Sequence, residues 1–431
     1  MSVLFPRLTD RTAKVAVIGQ GYVGLPVAMR ASQVGFPTLG FDVDEPRIAA
    51  LQSGRSHVGD VPDTELAAAL AAGYRASSDP ADLAGFDGAV VSVPTPLRDG
   101  APDRSALESA GALLAPHVRR GCCVILESTT YPGTTTELLG PILAAGSGLQ
   151  PGADFHLGYS PERIDPGNAR WNLVNTPKVV SGVDAASLTV VDAFFSALVA
   201  TTVPVGNCAE AETTKLLENT FRHVNIALVN ELAMVAHELD IDVWNVIAAA
   251  DTKPFGFMRF TPGPGVGGHC LPIDPTYLSW RVKQDLGRPF RFVELANEVN
   301  DRMPEHVAER VVRLLNEHGR AAKGAKVLML GLAYKAGTAD FRESPSIPVL
   351  KALRGWGIDV DVCDPYVDGE RLPTGVGELV PFDELALSSA DLVLVMVDHP
   401  DFDPARVAAT ARLVFDAKGL LRGHEFKGVR L

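Results

Sequence analysis

Cys270 stands in GVGGHCLPIDP (265 to 275), directly after two glycines and one residue of histidine, four positions before Asp274, with prolines stiffening the exit. A thiol framed by glycines can be approached closely by a substrate, and its thiolate is a strong nucleophile. Equally, a lone cysteine can be a packed structural residue, because free thiols are among the most buried side chains. His269 does not make a Cys-His hydrolase pair with it, since that chemistry needs side chains adjacent in space rather than in sequence. No ligand set for zinc accompanies the two, so no metal site is expected. Lys215 and Asn219 stand four apart in AETTKLLENTFRHVN. On a helix they project from one face, either as a solvated pair or as the cation and amide that hold an oxyanion.

A second constellation suits a phosphate rather than a carbonyl. Gly19, Gly21 and Gly24, with Tyr22 and Val23 between the last two, match G-x-G-x-x-G directly after an apolar run and before a helical one. Such a turn lets a pyrophosphate approach a helix N-terminus; alternatively it merely packs helix on strand. Asp42 lies 18 positions past Gly24, where a carboxylate can accept both ribose hydroxyls and repel a 2′-phosphate, so NAD is expected rather than NADP. Arg47 is either a further phosphate or ribose contact or a solvated surface arginine.

These residues need elements to hold them. KVAVIGQGYVGLPVAMRASQVGFPTLGFDVD (14 to 44) reads as strand, glycine turn, helix and strand. Strand candidates follow at 88 to 96, 122 to 130 and 177 to 182, separated by Ala/Leu-rich helical stretches, which predicts a parallel, doubly wound sheet. From about Ala209 to Asp240 the period is helical throughout, with Leu216, Leu217, Phe221, Val224, Ala227, Leu228 and Leu232 as an apolar stripe. A second long helix is predicted from about Phe292 to His318, and a Gly/Pro-rich loop (253 to 275) lies between the two. Helices of this length often bury such faces against another subunit, so a homodimer is expected. Alternation of strand and helix resumes at 326 to 334, 358 to 365, 392 to 400 and 412 to 418. The predicted fold is α/β, with two Rossmann-like doubly wound domains (1 to 206 and 319 to 431). They are joined by a central helical dimerisation region (207 to 318) with a long connecting helix.

Composition narrows the partners. A chain of 431 residues, 46% hydrophobic and 21% charged, has the profile of a globular α/β protein. A formal charge of −13 without a Lys/Arg block argues against nucleic acid and anionic membranes as partners. The N-terminus lacks a long apolar region, and the most apolar stretches, such as LVLVMV (392 to 397), are far shorter than the ~20 residues of a span. Cys122, Cys123, Cys208, Cys270 and Cys363 are odd in number and unpatterned, which favours a reducing cytoplasm.

Taken together, GxGYVGLP, VPTP (93 to 96), ESTTYPGTT (127 to 135), YSPER (159 to 163), AETTKLLENTFRHVNIALVNELA (211 to 233), PGPGVGGHCLPIDP (262 to 275) and GLAYKAGTADFRESPS (331 to 346) stand in order. In this combination the chain resembles the UDP-glucose/GDP-mannose dehydrogenase family over nearly its whole length. KPFGFMRFTPGPGVGGHCLPIDPTYLSW is most similar to the UDP-N-acetylglucosamine 6-dehydrogenase branch.

The resemblance implies an NAD-dependent enzyme that oxidises the C6 alcohol of a nucleotide sugar to the carboxylate, consuming two NAD through a thioester on Cys270. It implies that Lys215 and Asn219 stabilise the oxyanion, that Asp274 orients water or tunes the lysine, and that Thr129 and Glu162 handle water. The cofactor would meet the glycine turn, Asp42, Arg47, Pro94, Thr95 and Thr129, with Arg342 reaching it from the C-terminal domain. The sugar nucleotide would meet Glu162, Arg163, Lys215, Asn219, Gly267 and Lys335, with Arg259 and Phe260 on a loop that crosses to the other subunit. Two positions depart from the family. The glucose-specific branch carries a second glutamate where this chain has Pro166, which points to an N-acetylhexosamine. Lys418 in FDAKG replaces an arginine that contacts the sugar nucleotide, and lysine cannot form the same bidentate fork. UDP- or dTDP-glucose is the alternative substrate. A non-catalytic nucleotide-sugar-binding relative is a rival reading, opposed by the intact Cys270, Lys215, Asn219 and Asp274 set. A two-electron dehydrogenase is another, and it would need no thiol.

Overall fold

The computed structural model describes residues 4–165, 168, 170–268, 271–369, 372 and 374–431. The chain forms two compact units, Met1–Glu218 with Trp280–Arg288, and Asn219–Ser279 with Pro289–Leu431.

The first unit is built on an eight-stranded sheet. From one edge to the other it runs Thr202–Pro204, Lys178–Gly182, His156–Tyr159, Cys123–Leu126, Gly88–Val91, Val15–Ile18, Thr38–Phe41 and Arg75–Ser77. The central strands VAVI, GAVV and CVIL are buried at every residue, as unbroken apolar runs must be when helices cover both faces of a parallel sheet. Pairing is parallel except between His156–Tyr159 and Lys178–Gly182, which run antiparallel. The strand at 178 to 182 was expected to continue the parallel alternation. It enters the sheet reversed, the described residues of the connection from Tyr159 holding no crossover helix, and the edge strand Thr202–Pro204 follows its direction. The strand order reverses beside Val15–Ile18, which pairs with Thr38–Phe41 on one side and Gly88–Val91 on the other. In open α/β sheets ligands bind outside the carboxyl ends of the strands at such a point.

Two glycines of the turn are required by packing. A Cβ on Gly19, whose φ is +90°, would lie 2.4 Å from the Ser92 carbonyl oxygen, and one on Gly24 would lie 1.9 Å from the Gly19 carbonyl oxygen. A Cβ on Gly21 would meet nothing within 4 Å. The protein's own packing therefore does not demand glycine there, and the bare backbone stays open to a ligand at the start of helix Gly24–Gln33.

The second unit carries a five-stranded, wholly parallel sheet in the order Asp359–Cys363, Lys326–Leu330, Leu392–Val395, Val414–Asp416 and Gly428–Arg430. The helix Arg291–Glu317 packs along Ser346–Gly355 and places Met303, Val307, Val311 and Leu315 in the core under this sheet. The expected loop up to 275 ends two residues early, at 273, since Asp274 opens a helix that runs to Leu286. An Asp-Pro pair is a good helix start, because proline at the first turn gives up an N–H that has no helical partner anyway.

Long helix Cys208–Glu238 contributes to both units, the division falling after Glu218. Its Leu228, Leu232 and Val235 are exposed, as are Phe292 and Leu295 on Arg291–Glu317. Among the described residues no helix is long and apolar enough to cross a membrane.

Candidate active site

At the cofactor end of the first unit, Asp42 follows its strand and is almost buried. Its Oδ2 accepts the Gln20 N–H at 2.8 Å and the Arg47 guanidinium at 2.7 Å, and its Oδ1 accepts the Asp44 N–H at 3.0 Å. Burial pushes the carboxyl up, but these donors outweigh it and hold Asp42 below the usual carboxylate range. An ionised carboxylate offers about four acceptor positions, and three donors already use it. Accepting both ribose hydroxyls therefore requires Arg47 to swing away, since it is the one side chain among the three. A glycine turn open at Gly21, a helix N-terminus and an ionised acid at the end of the second strand suit NAD. On the neighbouring loops, the Thr95 hydroxyl donates to the Thr129 carbonyl at 2.8 Å, which ties VPTP to ESTT next to the turn. Tyr22 is half exposed.

Glu162 is buried beside the same sheet. Its Oε1 accepts the N–H groups of Arg163 and Ile164, both at 2.6 Å, and its Oε2 faces the Lys178 ammonium at 3.2 Å. Burial raises its pKa, yet Lys178, the Ile164 N–H and the charge of Lys215 bring it below the usual range. Glu162 and Lys215 are thus brought into electrostatic range, and Lys215 is itself buried. The Arg163 guanidinium pairs with Glu218 at 2.6 Å and donates to the Pro177 carbonyl at 2.5 Å. One turn before Lys215, Glu212 accepts Gly133 N–H at 2.5 Å and Thr135 N–H and hydroxyl at 2.9 and 2.6 Å. It fastens the YPGTT loop to the helix that bears Lys215. Burial pushes Glu212 up to about 7 against those donors.

In the second unit the Asn219 amide donates to Asp274 Oδ2 at 2.5 Å. Cys270 and His269 lie outside the described residues, as does Pro166, but both flanks of the cysteine loop are described. Upstream, Asn230 Oδ1 accepts the Gly263 N–H at 2.9 Å while its amide donates to Asn300 Oδ1 at 2.9 Å. Stranding such buried groups costs about 1–3 kcal/mol each, so this pair pins the start of the loop to two long helices. Nearer the thiol, a Cβ on Gly267 would lie 2.8 Å from the Glu343 carbonyl oxygen, and one on Gly268, at φ +84°, 2.8 Å from the Tyr334 ring. The two glycines thus serve close packing against the 331 to 346 loop.

That loop is itself anchored. Asp364 Oδ2 accepts the N–H groups of Leu332 and Ala333 at 2.7 and 2.9 Å and faces His399 Nε2 at 3.1 Å. The Gly337 N–H donates to His399 Nδ1 at 3.1 Å, which leaves Nε2 as the ring nitrogen that faces Asp364. Burial pushes Asp364 up, but His399 and the backbone donors outweigh it and hold it at about 2. Within the loop, the Thr338 hydroxyl donates to the Lys335 carbonyl, and Arg342 forks onto Asp340 at 2.9 and 2.7 Å. Arg259 reaches Asp251 at 3.4 Å, Phe260 meets Phe221 edge-on at 5.9 Å, and the Lys418 ammonium lies 3.6 Å from where a Gly263 Cβ would be.

Glu127, Lys178, Glu212, Asp364 and His399 were not singled out from the sequence. The one available signal was the acid closing IDVDVCDP, which repeats the placement of Asp42 at a strand end.

Sequence profiles of the UDP-glucose/GDP-mannose dehydrogenase family match along the chain: the NAD binding domain over residues 13–199, the central domain over 209–302 and the UDP binding domain over 328–423. A UDP-N-acetyl-D-glucosamine 6-dehydrogenase of Salmonella typhi is 36% identical over 90% of this chain and 90% of its own. The structure of a UDP-ManNAc dehydrogenase from Pyrococcus horikoshii superposes with a TM-score of 0.86 at 33% identity, covering 96% of this chain and 99% of that one. An NDP-N-acetyl-D-galactosaminuronic acid dehydrogenase from Methanosarcina mazei Go1 gives 0.82 at 30% identity, covering 100% and 98%.

Proposed function

Because the chain belongs to the UDP-glucose/GDP-mannose dehydrogenase family and is an NAD-dependent nucleotide-sugar oxidoreductase, we propose that it oxidises the C6 alcohol of a UDP-N-acetylhexosamine, UDP-N-acetylglucosamine by preference, to the uronate through a thioester on Cys270. The observation that supports the covalent route is that the four described cysteines are closed to it. Cys122, Cys123, Cys208 and Cys363 are buried, and burial pushes all four up, Cys208 and Cys363 to about 12. Such thiols are poor nucleophiles. Cys270, which follows the anchored glycines Gly267 and Gly268 in sequence, is the remaining cysteine.

Bound NAD supplies the hydride acceptor in both oxidations. Lys215 and Asn219 steady the oxygen on C6 as charge develops there, with Asn219 oriented by Asp274 and retaining a second amide hydrogen to offer. The Cys270 thiolate adds to the aldehyde carbon to give a thiohemiacetal. Loss of hydride from that carbon leaves the thioester, and water, handled by Glu162 and Thr129, releases the acid and the thiol. In sum, alcohol, two NAD+ and water give carboxylate, two NADH and three protons.

For the sugar, support comes from relatives named for N-acetylated hexosamines or their uronates and from Pro166 in the place of a glutamate. For the partner, the exposed Leu228, Leu232, Val235, Phe292 and Leu295 supply an apolar face for a second copy, with 207 to 318 as the dimerisation domain between 1 to 206 and 319 to 431. Four unpaired thiols suit a cytoplasmic enzyme. Purified enzyme with NAD should produce NADH with UDP-N-acetylglucosamine at a kcat/KM at least tenfold above that with UDP-N-acetylmannosamine, UDP-glucose or dTDP-glucose. A preference for either glucose nucleotide would overturn the hexosamine assignment.

A further inference from the structure

Beneath Glu162 lies a charged cluster that the reaction as written does not use. Lys178 opens the strand Lys178–Gly182, and its side chain is 3% exposed. Its ammonium sits 2.5 Å from Glu127 Oε1 and 3.2 Å from Glu162 Oε2, over the Phe195 ring at 5.0 Å. Glu127, 0% exposed, follows the strand Cys123–Leu126, and its Oε2 accepts the Ser92 hydroxyl at 2.7 Å. With two backbone N–H groups on Glu162 Oε1, every oxygen of both carboxylates has a donor.

Burying ions costs several kcal/mol each, and an apolar cluster of the same volume usually stabilises a fold as well or better. Stability alone is therefore a weak reason for two carboxylates and an ammonium here. The charges also do not balance locally: Glu127 and Glu162 face one ammonium, and the other cation acting on Glu162 is Lys215 of the helix Cys208–Glu238.

We infer that Lys178 and Glu127 are positioning residues that fix the orientation and the charge of Glu162, Glu127 holding the ammonium in place and the ammonium keeping Glu162 ionised. The directions of titration agree. Burial and the Glu162 charge push Glu127 up despite Lys178, whereas Glu162 is held down. Burial pushes Lys178 down, but the two carboxylates outweigh it and hold it up. The cluster's importance to turnover rests on the reading of Glu162 as a carboxylate of the active site; the effect on its charge does not.

The cluster makes predictions of opposite sign. Lys178→Met leaves two buried carboxylates face to face, so the Glu162 pKa rises by about one unit or more. Glu127→Gln leaves Lys178 to Glu162 alone, so that pKa falls. The double variant removes one charge of each sign and returns Glu162 to within about half a unit of the original. The readout is a 13C-carboxyl titration of the full-length protein, with the Glu162 resonance assigned by its loss in Glu162→Gln. Should Lys178→Met fail to fold, Glu127→Gln carries the test alone. Shifts in the stated directions support the inference. Titration unmoved in Glu127→Gln, or moved the same way by both single variants, would overturn it. The pH profile of kcat, taken in parallel with UDP-N-acetylglucosamine and NAD, tests the underlying reading separately: its acid limb should follow the resonance and vanish in Glu162→Gln. Full kcat in Glu162→Gln would sink the catalytic role of Glu162 while leaving the electrostatic assignment to the titration.

Discussion

Cys270→Ser is expected to lower uronate formation by roughly a thousandfold or more. A thiol ionises near 8.5 and is intrinsically nucleophilic, whereas a hydroxyl without an adjacent base stays protonated and weak at neutral pH. Nothing else in the cysteine inventory can substitute, because Cys122, Cys123, Cys208 and Cys363 are buried in the cores of the two units. The substitution changes one atom and leaves the flanking contacts to Tyr334 and Asn230 in place, so NAD affinity and melting temperature should stay close to those of the parent. The first oxidation does not need the thiol. Supplied with the 6-aldehyde of the nucleotide sugar and NADH, the variant should still reduce it to the alcohol. Uronate formation at the parental rate would remove the thioester from the account.

Lys215→Ala is expected to lower kcat by about 10² to 10³, the usual effect of losing one oxyanion-stabilising group, with a smaller change in KM. The lysine is buried on a helix that Glu212 fastens to the 131 to 135 loop, so its position is set by the fold. A second effect distinguishes it from a residue that merely binds substrate. Lys215 is one of the cations that lower Glu162, so its removal should also move the acid limb of the kcat profile upward. Glu162 then takes up its proton at a higher pH, and activity is lost earlier as pH falls. Kinetics over pH 5 to 9 for both proteins check the two effects together. An unchanged kcat with a raised KM would reassign Lys215 to ground-state binding.

How far these features could be read from the sequence depended on how local their causes are. The glycine turn was legible because its constraints lie within a few residues: Gly24 must clear the Gly19 carbonyl, and the apolar run 15 to 18 must be a buried strand. The helices at 208 to 238 and 291 to 317 were legible within two residues at each end, since 27 or more residues of one period leave little ambiguity. The reversed strand at 178 to 182 was not, because strand direction is decided by pairing across the sheet, and PKVVSG has the same apolar pattern either way. Lys178 and Glu127 are 51 residues apart and His399 and Asp364 are 35 apart. In sequence each is an ordinary polar residue in or beside a strand, and its burial exists only once the sheet is assembled. The cysteine loop shows the opposite case. Its glycines were visible, but the need for them at 267 and 268 comes from Tyr334, Glu343 and Pro345.

In the proposed reaction one active site carries the sugar through both oxidations by way of Cys270. Its most direct test is the number of NADH released per UDP-N-acetylglucosamine consumed, measured to completion with purified enzyme and excess NAD. Two are expected, with the uronate as the product. One NADH per sugar, with an aldehyde accumulating, would contradict it.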